Sequence, residues 1–268
     1  VVPRLRWGVR ERTKSDGKIL THPTPAGVRR LRQQVKDSGA ESVAICFLFS
    51  FQNPKNERVV ARALKKLNLP VSVSHENLPE FREYERLSTV VINAYLAPRL
   101  GRYLFRLEQE AKRYFPVRKA ISKKRKSQNT GTQVYVMQSN GGITTAARAA
   151  QEPVRTILSG PAGGVVATAW LAKHVGIRRA ISFDMGGTST DVCLLDGPPR
   201  TTHETMLGNL PVAVPVLDVH SVGAGGGSLA RLDVGGALRV GPGSAGSDPG
   251  PICYGKGGVT PAVTDAHL

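Results

Sequence analysis

Cysteine is scarce in this sequence and poorly placed for cross-linking. Only Cys46, Cys193 and Cys253 occur, far apart and with no CxxC pair. A disulfide scaffold and a Cys-rich metal site are therefore excluded. Cys46 and Cys193 lie in the apolar runs "VAICFLF" and "DVCLLD" and read as buried strand cysteines, which suits a reducing, cytoplasmic setting. Acidic residues are also few: 20 Asp and Glu stand against 37 Lys and Arg, for a net charge of +17. No run reaches the roughly 18 apolar residues of a membrane-spanning helix, so no membrane association is expected. The opening "VVPRLRWGVRERTKSDG" has charges where a signal peptide needs an apolar core, and it has no initiator Met. The chain is expected to be a fragment of a longer protein.

What the sequence does have is glycine and proline, 29 and 18 residues, with 40% hydrophobic residues across 268 positions. That composition predicts a loop-rich α/β protein of one large or two modest domains. The basic surplus is partly local. "AKRYFPVRKAISKKRK", residues 111–126, holds eight basic residues and no acid. Tyr114 and Phe115 precede the basic run rather than interleave it, so it reads as a solvated loop more than as a nucleic-acid surface.

"TPAGVRRLRQQVKDSG" predicts a helix: Pro25 suits a first turn, Val28, Leu31 and Val35 recur at helical spacing, and Gly39 stops it. "ESVAICFLFSF" predicts a continuous buried strand. "NPKNERVVARALKKLNL" predicts a second helix capped by Asn53, and "PVSVSHE" a further strand. This alternation implies a largely parallel sheet. A long helix, bent near Pro98, is expected from "LPEFREYERLSTVVINAYLAPRLGRYLFRLEQEAKRYF", with acids early and bases late. The domain boundary falls near Leu78, giving regions 1–78 and 79–268. A strand "TQVYVMQS" and a turn "NGG" follow the basic run, then a glycine-rich loop opening a helix that stops at Gly176.

Four glycine-rich stretches carry the chemistry. In "ISFDMGGTSTDV" two strands flank a tight turn, so a β-hairpin is predicted. Gly186 and Gly187 let an anion approach the backbone amides, and Thr188, Ser189 and Thr190 add hydroxyls. Carboxylates beside a phosphate need a cation between them, so Asp184 and Asp191 point to Mg²⁺ held mostly through water. In "SGPAGG", Ser159, Gly160 and Gly163 open a helix whose free amides suit an anion, although no Lys-Ser/Thr follows as a Walker A motif requires. "DVHSVGAGGGSLARLD" fails as a dinucleotide fingerprint, because Ser228 stands where a third glycine is needed and a hairpin follows. Gly223, Gly225, Gly226, Gly227 and Ser228 remain candidates for a nucleotide-contacting loop. Asp218 and His220, two apart on an expected strand, point the same way and can share a metal or serve as acid and base. "GPGSAGSDPGPICYGKGG" predicts a rigid loop, and Asp265 in "VTDAHL" is the last carboxylate available to the site.

The hairpin resembles the phosphate hairpins of the actin, hexokinase and Hsp70 superfamily. The ordered set "SHENLPEFREYERLSTVVINAYLAP", "QSNGG", "SGPAGG", "FDMGGTSTDV", "DVHSVGAGGGSLARLD", "GSAGSDPGPICYGKGG" and "VTDAHL" resembles the hydantoinase A and 5-oxoprolinase family, which includes an acetone carboxylase subunit. The resemblance spans nearly the whole chain. It implies an incomplete actin-like α/β ATPase fold, ATP with Mg²⁺ (and room for a second divalent metal), phosphorylation of a cyclic amide carbonyl or a ketone, and a B-type partner subunit or domain. It implies site roles for Asp184, Asp191, Asp218, His220 and Asp265. The sequence departs from the family in lacking a "GGTFTD"-like first phosphate motif, and in Gly243, Ala262 and His267, where the family has Glu, Thr and Asn.

Three readings follow: an enzyme piece, a nucleotide- or anion-binding remnant without turnover, and a polyanion binder driven by the basic run. The order of the motifs favours the first over the third. The basic run is expected to be dispensable for folding. Deleting residues 118–127 should leave the melting temperature nearly unchanged while weakening salt-sensitive binding to heparin. A large fall in melting temperature on deletion would contradict this.

Overall fold

A threonine followed by proline starts the first helix. Thr24 accepts from the Gly27 amide at 3.1 Å, and Pro25 fills a position whose N–H has no helical partner. The computed structural model describes residues 1–116, 132–203 and 205–268, so the basic run from residue 117 on lies outside the described residues. In chain order come β1 (Arg12–Thr13), β2 (Ile19–Thr21), α1 (Pro25–Asp37), β3 (Val43–Ile45), α2 (Lys55–Lys65), β4 (Val71–Val73), α3 (Ser74–Asn77) and α4 (Glu83–Tyr114). Next are β5 (Tyr135–Met137), β6 (Ile143–Thr145), α5 (Ala146–Gln151), α6 (Ser159–His174), β7 (Arg179–Met185), β8 (Thr190–Asp196) and β9 (Thr201–Thr202). The chain ends through β10 (Thr205–Leu207), β11 (Leu210–Val212), β12 (Val216–Leu217), β13 (His220–Val222), β14 (Ser228–Leu232) and β15 (Leu238–Ser244). The fold is mixed α/β. It packs as two units: Val1–Ile157 with Thr202–Val216, and Leu158–Thr201 with Leu217–Leu268.

In the first unit, Leu31 and Val35 of α1 and Val60, Ala61 and Leu64 of α2 bury their helical stripes against Ile45 and Val73. β3 and β4 pair in parallel, Val43 opposite Val71. The expected wide parallel sheet is thus reduced to this pair. The expected strand over "ESVAICFLFSF" also ends early, at Ile45. The reason lies in the turn that follows: Phe49 has φ 55°, a left-handed conformation that no strand continues through. Cys46 therefore sits just past the strand, half-buried, whereas Cys193 is buried within β8 as expected. The N-cap of α2 is Pro54 rather than the expected Asn53, which lies one residue earlier and accepts from the Lys55 amide at 3.2 Å. α4 runs through Pro98, and its Ile92 packs with Val154, Val212, Val214 and Val216.

The turn after β3 is held by a buried carboxylate. Glu57 of α2 is 0% exposed. It accepts from the Phe47 amide at 2.8 Å, Ser74 Oγ at 2.6 Å and the His75 amide at 3.1 Å, and His75 Nδ1 lies 2.7 Å from Oε2. Every acceptor direction is used, which is what a carboxylate removed from water requires.

In the second unit, Ala162 and Val165 of α6 pack on Cys193, Leu195 and Leu217. β7 and β8 form the predicted antiparallel hairpin, with β13 added beside β8. "SGPAGG" does not form the expected loop. α6 is already helical from Ser159, and the left-handed turn falls on Leu158 at φ 60°.

Replacing Glu57 with Ala should cost about 3–5 kcal/mol, because it strands the Phe47 amide, Ser74 and His75 in the interior. Chemical denaturation of wild type and variant checks this; a loss below about 1 kcal/mol would show the network to be replaceable.

Candidate functional site

The β7–β8 hairpin sets the site by register. Met185 pairs with Thr190, so Gly186 to Ser189 form the tip, and the Gly186 amide donates to the Ser189 carbonyl at 2.9 Å. The next pair down is Asp184 opposite Asp191. Directly opposed residues share one face, with Cβ atoms about 5 Å apart, and like charges so placed repel. Ser221 of β13 is in register with Asp191 and joins the same row, donating its hydroxyl to Asp191 Oδ1. The amides of Gly187 and Thr188 have no partner among the described residues, and nothing lies within 4 Å of where a Gly187 Cβ would stand. The tip therefore offers free donors above two unneutralised carboxylates. That arrangement suits an oxyanion bridged by a divalent cation. Among the described residues no third His, Cys, Asp or Glu joins the pair, so an ion held there keeps most of its water ligands.

The carbonyl side of the tip is closed by backbone. The Gly226 amide donates to the Gly186 carbonyl at 2.9 Å, and the Gly227 amide to the Gly187 carbonyl at 2.7 Å. A Cβ on Gly225 would stand 2.7 Å from the Gly186 oxygen, and one on Gly227 would stand 2.8 Å from the Gly187 oxygen. The three glycines exist because two backbones meet there with no room for a side chain. The Gly225 amide donates to Ser228 Oγ at 2.9 Å and the Ser228 amide to the Gly225 carbonyl at 3.0 Å. All four amides from Gly225 to Ser228 are thus engaged within the protein. Their place in the site is to hold the hairpin tip, and direct phosphate contact through those amides would require breaking these bonds.

The remaining candidates are placed as follows. Thr190 is buried, with its hydroxyl on the Ala224 carbonyl at 2.5 Å. Gly223 is exposed in open space. Ser159, Gly160 and Gly163 lie in the first two turns of α6, with open space beside both glycines. Asp218 precedes β13 rather than lying in a strand. His220 is in register with Val192, one step out of phase with the Asp184–Asp191–Ser221 row, so the pleat turns it to the other face. Asp218 and His220 remain a pair, 3.7 Å apart and well exposed.

Asp265 has a positioning role. Its carboxylate accepts from the Cys253 amide at 2.8 Å, the Ala262 amide at 2.7 Å and the Ile252 amide at 3.2 Å, pinning the glycine-rich loop. The Cys253 amide foremost, with those of Ala262 and Ile252, holds its pKa at about 2, against an ordinary 3.8. Ser221 and Thr264 escaped the sequence reading. Thr264 donates through both amide and hydroxyl to the Gly226 carbonyl at 2.7 Å, and only the threonine beside Asp265 hinted at it.

The family model described as "Hydantoinase/oxoprolinase" matches residues 86–268, and that described as "Hydantoinase/oxoprolinase N-terminal region" matches residues 1–68. The chain belongs to the hydantoinase/oxoprolinase family. It is 38% identical over 281 residues to the caprolactamase subunit alpha of Pseudomonas jessenii, covering 100% of this chain and 37% of that one. It is 35% identical to the 5-oxoprolinase of Saccharomyces cerevisiae over 94% of this chain and 18% of that one. The crystal structure of the ATP-dependent caprolactamase superposes with a TM-score of 0.76 at 35% identity, covering 100% of this chain and 37% of that one. Nucleotide-free acetone carboxylase superposes at 0.75 and 29% identity, covering 97% and 36%. The chain thus spans well under half the length of these relatives. The two family models leave residues 69–85 between them, and the packing units divide after Ile157, with Thr202–Val216 belonging to the first.

Asp265 also makes a pH prediction. Its folded pKa is depressed, so its stabilisation is present above about pH 4 and is lost as the pH falls through about 2. Asp265→Asn should lower the melting temperature near neutrality, and its curve should converge with wild type towards pH 2. Curves that stay parallel across that range would show that Asp265 does not carry this linkage.

Proposed function

We propose that the chain is part of an ATP-dependent amide-hydrolysing subunit, and that the Gly186–Ser189 tip receives the phosphates of the nucleotide. The observation that carries this is the in-register pair Asp184 and Asp191 beneath a tip with free amides. ATP, when bound, supplies the phosphoryl group that activates an otherwise unreactive amide carbonyl. The chain's own residues bind and orient. The Gly187 and Thr188 amides and the Thr188 and Ser189 hydroxyls hold phosphate oxygens. Asp184 and Asp191 hold hydrated Mg²⁺, with Asp191 fixed by Ser221. Ser159, Gly160 and Gly163 bring the start of α6 to the anion, and Asp218 with His220 is a proton-exchanging pair. The family relationship supports a small cyclic amide as substrate, an actin-like lobe around the hairpin, a B-type partner subunit and a cytoplasmic location. Among the described residues no helix is long and apolar enough to cross a membrane. We keep Leu78 as the division between the two sequence regions.

The free Gly187 and Thr188 amides, which can receive an anion without a metal, favour a second reading, an anion-binding module without turnover. Amide chemical shifts separate the two. With Mg²⁺ and ATP together, the Gly187 and Thr188 peaks should move, with a Kd on the order of 1 mM. ATP with a chelator should move them far less, and Asp184→Asn or Asp191→Asn should abolish the metal effect with little loss of stability. Nucleotide binding that ignores both the metal and the Asn substitutions would sink the Mg²⁺ assignment and leave the second reading. Shifts confined to other residues would sink both.

A further inference from the structure

The first unit holds a buried cation with no ion-pair partner among the described residues. Arg86, at the start of α4, is 0% exposed. Its Nη2 donates to the Phe47 carbonyl at 2.8 Å, and its Nη1 reaches the Glu80 carbonyl only at 3.4 Å. Nε has no hydrogen-bond partner. The Phe51 ring lies 5.1 Å from the guanidinium carbon, an attraction that fills no donor. Glu57 grips the same Phe47 residue from its amide side, but its oxygens are already taken by Phe47, Ser74 and His75. Cys46, which feels both charges, stays a neutral thiol: burial pushes its pKa up and outweighs the pull of Arg86. No carboxylate among the described residues lies within ion-pair distance of Arg86.

Removing a guanidinium from water costs several kcal/mol unless charge and donors are both met. Here Glu57 shares the turn but makes no ion pair with Arg86, Nε is unfilled, and two nearby backbone positions are strained. Phe49 at φ 55° and Arg82 at φ 69° are non-glycine residues in the left-handed region, one in each of the segments that touch Arg86. Asn77, at the start of the segment leading to α4, buries an Oδ1 with no partner. A buried, unfilled guanidinium donor beside backbone strained at Phe49 and Arg82 is the mark of a ligand clamp.

We propose that Arg86 anchors a binding pocket for a small carboxylate, distinct from the hairpin site. A planar carboxylate docks side-on to the free Nε edge of a guanidinium and supplies the missing charge and acceptors together. The exposed segment from Pro79 to Tyr84 meets the guanidinium through the Glu80 carbonyl, and the proposal requires it to lift for entry.

The test reads the Arg86 Nε–H peak in a ¹H–¹⁵N spectrum of the wild-type chain, assigned through bonds. Sodium acetate is titrated in against sodium chloride at constant ionic strength. A saturable shift with acetate is expected, with a rise in melting temperature that follows the same curve. Inorganic phosphate, being tetrahedral, should give a weaker effect, and Arg86→Lys should remove the rise with acetate. If that variant fails to fold, the wild-type peak still decides. No saturable shift with acetate or formate at concentrations on the order of 50 mM, or equal shifts with chloride, would overturn the proposal and leave ordered water as the partner of Nε.

Discussion

Two peptide groups pressed against two others hold the second unit's site together. The Gly186 and Gly187 carbonyls are met by the Gly226 and Gly227 amides at 2.9 and 2.7 Å, and ideal Cβ atoms on Gly225 and Gly227 would fall 2.7 and 2.8 Å from the same carbonyl oxygens. A hairpin tip with its carbonyls exposed would be mobile and would repel an anion. With the Gly186, Gly187 and Ser189 carbonyls engaged, three of the tip's four acceptors are withdrawn while the Gly187 and Thr188 amides stay open. The same contact is anchored from behind: the Gly226 carbonyl accepts from Thr264, and the Gly227 carbonyl from the Ala245 amide at 2.7 Å. Asp265, next to Thr264, pins the loop from Ile252 to Cys253. The glycine-rich tail of the chain is thereby a buttress for one four-residue turn.

The first unit solves a comparable problem with charge. The turn after β3 is gripped at the Phe47 amide by Glu57 and at the Phe47 carbonyl by Arg86. Hydrophobic packing of α1 and α2 on β3 and β4 sets the surrounding layer, and the two buried ions fix a backbone segment that no strand partner reaches. The asymmetry between them, a saturated carboxylate and an under-filled guanidinium, separates structural support from binding capacity in the same turn.

Much of this was legible from residue types alone. Thr24-Pro25, Asn53 and Gly39 mark the bounds of α1 and α2 for local reasons that tertiary packing does not alter, and the tight glycine turn in "MGGTST" between two apolar strands gives the hairpin, while the Asp184–Asp191 register is seen only in the pairing itself. The failures have physical causes. "CFLFS" is apolar enough for a strand, yet its path is set by Glu57 and Arg86, which lie 10 and 39 residues from Phe47 in sequence. "SGPAGG" looks like a loop, but Pro161 and four glycine or alanine neighbours are tolerated in the opening turns of α6, where few helical donors are needed. From sequence, Gly225 to Gly227 are candidates for a nucleotide-contacting loop. Glycine permits close approach by any backbone, and here the partner is the protein's own hairpin. Ser221 was hidden between Asp218 and His220, because the register that turns it towards Asp191 is a property of the β8–β13 pairing.

The central claim is that the tip is pre-organised, with its carbonyls closed and its amides open. Residue-resolved amide hydrogen exchange tests this most directly. Gly226 and Gly227 should exchange slowly, Gly187 and Thr188 rapidly, and Mg²⁺ with ATP should slow only the second pair. Rapid exchange at Gly226 and Gly227, or slow exchange at Gly187 and Thr188 without ligand, would contradict the account.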